Sequence, residues 1–139
     1  MNSGVKVHWS FWVITFAALI WNVLGAINFV VQMNPEMLQH YRESERVIII
    51  NRPLWATLGF ALAVFLGSLG SLLLVFKKAL ASVCFMVSLM GVVVAVFHSL
   101  VSGAQLSLAE LLGIVIMPLI LGMFLMGYSK WCAKKKWLN

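Results

Sequence analysis

Charge is scarce in this sequence, and where it is missing decides most of the reading. Of 139 residues ten are basic and four acidic, against 63% hydrophobic residues and a mean hydropathy of +1.00. A soluble domain of this length needs far more polar surface, so composition alone puts the chain in the membrane class. No charged side chain falls in residues 10–32, 53–76, 79–109 or 111–129. Each window holds the roughly 20 apolar positions that cross a bilayer, the last only just. Four transmembrane helices are predicted, at about 10–32, 53–76, 79–102 and 109–129.

Other absences exclude chemistry. No predicted span contains Asp, Glu, Lys or Arg, so the carboxylate of a small proton-coupled cation exporter is missing. The only cysteines, Cys84 and Cys132, form no C-x-x-C pair, and both lie on the side read below as cytoplasmic and reducing. That argues against a disulfide-forming oxidoreductase. There is no H-E-x-x-H, no glycine-rich phosphate loop and no serine–lysine pair within a span. Of three histidines, His98 alone lies well inside a span. His8 is on the opposite side and His40 in a loop, so no axial pair for a haem is available. The expectation is a protein with no catalytic residue, no metal and no cofactor. The first apolar run is too long for a cleaved signal, is preceded only by Lys6, and is followed by no small-x-small site. Hydrophobicity is continuous rather than alternating, which argues against membrane strands.

The charges that are present give an orientation. Lys77 and Lys78 separate the second and third spans, and Lys130, Lys134, Lys135 and Lys136 follow the fourth. These fall on one side, which the positive-inside rule assigns to the cytoplasm together with both termini. Arg42, Arg46 and Arg52 face the other side with Glu36, Glu43, Glu45 and Glu110. Trp9, Trp12, Tyr128, Trp131 and Trp137 fall near the lysine-rich interface, where amphipathic rings prefer to lie. The net charge of +6 therefore points to anionic headgroups around the tail "KWCAKKKWLN", and no nucleic-acid partner is expected.

The one sizeable loop, "MNPEMLQHYRESERVIIINRP", carries Asn34 as a helix cap before Pro35 and Glu36. Met37, Leu38 and Tyr41 share a face, predicting a short helix on the outer membrane surface. Residues 47–50 would then return the chain to the bilayer. The remaining connections are short, which makes sequential helices antiparallel neighbours. The expected fold is all-α: one domain over residues 1–139, an antiparallel four-transmembrane-helix bundle with a short outer interfacial helix.

The helices carry faces. In the second span Gly59, Ala63, Gly67 and Ser71 recur every fourth residue, with Gly70 beside them. Such a ridge predicts close packing against another helix of the bundle, with a homodimer contact or a substrate passage as alternatives. Val64, about a quarter-turn away, is expected to tolerate leucine. The third span carries Ser88, Gly91, Ala95, His98 and Ser102 as a small and polar stripe. In the first, Asn22, Gly25 and Phe29 form one ridge, with Asn28 close by. A carboxamide facing lipid would stay unpaired, so both asparagines should face other helices. Asn22, Asn28, Ser88, His98 and Ser102 are therefore expected as one polar cluster, with Asn28 the direct partner of His98. It would serve as glue between helices or as lining for a small polar ligand. Pro118, between Gly113 and Gly122, predicts a kink in the fourth span.

"WNVLGAINF" and "RPLWATLGFALAVFLGSLGSLLLVFKKALASVCFMVSL" resemble a group of small four-helix bacterial inner-membrane proteins commonly labelled sugar transporters or uncharacterised. The likeness runs through Trp21, Asn22, Gly25, Pro53, Trp55, Gly67, Gly70 and Ala79. It implies a bacterial inner-membrane location and sugar transport as one function. The reading that leads is an accessory or structural membrane protein that acts through helix association. Its surroundings would be membrane lipids, and its partners a second copy or a larger membrane complex. Small-solute transport by an oligomer is the alternative.

Overall fold

A computed structural model describes residues 6–139, all of them in helices or short connections. Residues 1–5 of the expected domain lie outside the described residues. Four helices are long and apolar enough to cross a membrane: α1 (Trp9–Gln32), α3 (Leu54–Val75), α4 (Ala81–Val101) and α5 (Leu108–Lys134). At 1.5 Å per residue they measure about 31 to 40 Å, enough for a hydrocarbon core of about 30 Å. Between α1 and α3 lie a 3-10 turn (Pro35–His40) and a short helix, α2 (Glu43–Ile50). Large apolar side chains ring the outside, Leu54 being 74% exposed and Ile20 61%. A patch that size on a small protein marks contact with something apolar. The chain is a multi-pass membrane protein.

Small residues set the neighbours. α3 and α4 share the most extensive contact, α1 lies against α3, and α5 lies against α4. At the α3–α4 crossing, a Cβ on Gly91 would meet the backbone of α3, 2.7 Å from the Ala63 nitrogen. Ser88 adds a hydrogen bond to the Ala63 carbonyl at 2.6 Å. The ridge of α3 divides between two partners. Gly59 abuts Val94, and Gly70 abuts Phe85 and Cys84, all on α4. Gly67 and Ser71 instead receive Asn22 of α1. A four-residue repeat winds around a helix of 3.6 residues per turn, so one ridge passes from one neighbour to the next. Val64 is buried against Gly25 of α1, which corrects the expectation that leucine would be tolerated there.

The two ends of the bundle differ. At the lysine-rich end Phe11, Leu74, Ala81, Phe85, Leu125, Cys132 and Leu138 form one buried core. Rings of Phe11, Trp137 and Trp131 close over it, and Asn139 bonds to Lys77 and Ala79 in the α3–α4 turn. Along their whole length α1 and α5 make few direct contacts.

The expected short helix after α1 is present as a 3-10 turn capped by Asn34, whose carboxamide oxygen accepts from Glu36 N at 3.1 Å. Residues 47–50, expected to lead the chain back to the bilayer, form the second half of a further helix, α2. Glu43 and Glu45 suit its N-terminal turn, and burial of Ile48 outweighs the poor helix propensity of β-branched residues. α5 begins with a capping box in which Ser107 and Glu110 each accept from the other's backbone N–H. It then passes through a π turn at Leu112–Ile116, directly before Pro118. The irregularity therefore sits one turn ahead of the proline, in keeping with the carbonyl a proline leaves unpaired four residues earlier.

Candidate functional site

From the α2 end down to Phe85 and Leu125 the bundle encloses a cavity of about 440 Å³. Every helix contributes to it. α1 presents Trp21, Asn22, Gly25, Asn28 and Gln32, which follow one another at helical spacings of one, three and four. α3 adds Phe60, Ala63 and Val64, and α4 adds Ser88, Ala95 and Ser99. The irregular part of α5 adds Gly113 and Pro118, and α2 closes the end with Glu45 and Ile48. Gly113 faces open space, with no atom within 4 Å of where a Cβ would stand. The π turn and its glycine thus set part of the cavity wall.

The side-chain donors in the depth of the cavity are already engaged. Asn22 donates to the Ala18 carbonyl at 2.9 Å and to Ser71 at 3.3 Å, while its oxygen rests over Gly67. Ser88 gives its proton to Ala63, and Ser99 bonds back to Ala95 at 3.1 Å. What remains exposed to the cavity there is chiefly hydrocarbon.

The mouth is different. Arg52 Nη1 donates to Gln32 Oε1 at 2.8 Å, and its guanidinium lies 4.8 Å from the centre of the Phe60 ring. Burial lowers its pKa from the ordinary value, with Tyr41 opposing; an arginine so placed stays protonated. Among the described residues no carboxylate pairs with Arg52 and no cation with Glu45. Sequence reasoning missed both residues, since each reads there as one member of a solvated charged loop.

The expected polar cluster is split. Asn22 and Ser88 meet on either side of Gly67. Asn28 lies nearer the mouth and accepts from the Tyr41 hydroxyl. His98 is 4% exposed, but its Nε2 lies 2.9 Å from the Ile48 carbonyl of α2 and its ring meets Trp55 edge-on. A carbonyl can only accept, so Nε2 carries the proton. Asn28 is therefore not the partner of His98, because α2 inserts a backbone acceptor that the sequence did not announce. Ser102 bonds within its own helix to Ser99 at 2.8 Å and stands apart from the others. Two contacts hold α2 over the cavity, Ile48 to His98 and Ser44 to Glu110, and Arg52 just beyond it ties the following turn to Gln32.

Among the described residues no three His, Cys, Asp or Glu side chains converge as a metal site. Cys84 and Cys132 are both buried and unbonded to each other. Comparison with family models, with curated proteins and with solved structures finds no match for this chain.

Proposed function

We propose that the protein is a non-enzymatic accessory protein of a bacterial inner membrane that binds one small amphiphile drawn from the bilayer. The observation that carries this reading is the cavity: hydrocarbon in its depth, charge at its mouth, and flanked by two helices that do not close on each other. Lipid-side entry suits a site between helices with apolar walls. A sugar site would need several free donors and acceptors, and the deep side-chain donors here are turned to the protein itself. Transport of a small solute by an oligomer remains the second reading. It draws on Trp21 beside the carboxamides of α1 and on the resemblance to proteins labelled sugar transporters.

Thermal unfolding in mild detergent, across phospholipids, fatty acids, quinone, sugars and small amines, separates the two. An amphiphile at about one hundred times its Kd stabilises by about 2.7 kcal/mol, a shift of several degrees. Gly113→Phe, at a cavity-lining glycine whose Cβ position has no atom within 4 Å, should reduce that shift by more than it lowers the ligand-free midpoint. A response to sugars alone would favour transport.

The lysine-rich end faces the cytoplasm in this proposal, and α2 lies outside. Cysteine at position 43 should label with an impermeant thiol reagent on intact cells, and cysteine at 135 should not. Glu43 is the better reporter than Ser44, which is tied to Glu110. Cys84 and Cys132 are first replaced by alanine. The opposite labelling would invert the topology.

A further inference from the structure

We propose that the mouth of the cavity is a headgroup site for a zwitterionic aminophospholipid, with the phosphate on Arg52 and the ammonium on Glu45. The inference rests on the amphiphile reading and adds the headgroup class to it.

Arg52 carries five N–H donors, of which the protein uses one, toward Gln32. The guanidinium is braced by that amide and by the Phe60 ring, so its fork is held ready for a bidentate acceptor such as phosphate. A charge partly removed from water and left without a counter-charge is costly, and a bound phosphate would offset that cost. Glu45 lines the same cavity and likewise has no ion-pair partner among the described residues. One cation and one anion that share a mouth without pairing form a two-point template. A purely anionic headgroup would gain from Arg52 and be repelled by Glu45. An uncharged headgroup would leave both unmatched. A phosphate linked to a primary ammonium satisfies both, and one of the lipid's two acyl chains has the apolar depth between Ala63, Ala95 and Pro118 to occupy while the other stays in the bilayer.

The test uses the full-length protein in maltoside micelles doped equally with phosphatidylethanolamine and phosphatidylglycerol, with retained lipid read by native mass spectrometry. The wild type should retain phosphatidylethanolamine about tenfold over phosphatidylglycerol, a difference of about 1.4 kcal/mol. Glu45→Gln should bring the two lipids to near parity. Arg52→Gln should lose most retention of both, and Arg52→Lys should recover part of it. Should Arg52→Gln fail to fold, the change of ratio in Glu45→Gln decides alone. Retention with no headgroup preference, or a preference unmoved by Glu45→Gln, overturns the inference and leaves amphiphile binding standing. No retained lipid of either kind overturns both. Free phosphoethanolamine should not compete at equal concentration; if it does, the ligand is a soluble headgroup and the lipid assignment falls.

Discussion

Gly91→Ala should unfold this protein more readily than any other single methyl addition to its glycines. The new Cβ would stand 2.7 Å from the Ala63 nitrogen, and closer still to the Gly59 carbonyl oxygen. Both are backbone atoms of α3, so no rotamer change relieves the clash, and the two helices must separate where they share their most extensive contact. Overpacking usually costs about 1 to 3 kcal/mol; a rigid backbone neighbour puts this substitution at the upper end, about 3 kcal/mol or more. Gly127→Ala is the control, because nothing lies within 4 Å of its Cβ position, and helix propensity favours alanine there by about 1 kcal/mol. Denaturation from mild detergent into a harsher one measures both. Equal midpoints for the two variants would remove the claim that Gly91 sets the α3–α4 distance.

The second large effect lies in a double-mutant cycle between Asn22 and Gly67. A Cβ on Gly67 would come within 2.8 Å of the Asn22 Cγ and nearer to its oxygen. Gly67→Ala should therefore dislodge the carboxamide and cost about 1 to 3 kcal/mol. Asn22→Ala alone loses its interhelical hydrogen bond, worth about 0.6 kcal/mol on average in membranes. Once Asn22 is alanine the clash is gone, so the double variant should be more stable than the sum of the single losses predicts, by about 0.5 to 3 kcal/mol. Strict additivity would mean that the two residues do not share one space. Leu69→Ala on the exposed face of α3 is the appropriate control in place of Val64.

The legible part of this fold was what hydrocarbon demands. A span must be long, apolar and free of charge, so all four were visible within a few residues. The fourth runs further than its charge-free window; Lys130 and Lys134 are good helix formers, favoured near a C-terminus by the helix dipole. Small residues at i and i+4 likewise announced close approach, and the structure names the partners: Val94 for Gly59, Asn22 for Gly67, Phe85 for Gly70. What stayed illegible depends on the short pieces between spans. "ESERVIII" mixes a charged half with a β-branched half, and its helicity is supported by burial of Ile48 and by ties to His98 and Glu110, both remote in sequence. Without α2, His98 had no acceptor in view and Asn28 stood in for it. The site was illegible for the same reason, since Arg52 and Glu45 acquire meaning only once α2 is laid over the cavity.

That cavity has a thermodynamic consequence. Whatever fills a space bounded by all five helices adds contacts among them, so its loss would soften the α2 end of the bundle before it reached the core of Phe11, Leu74 and Leu138.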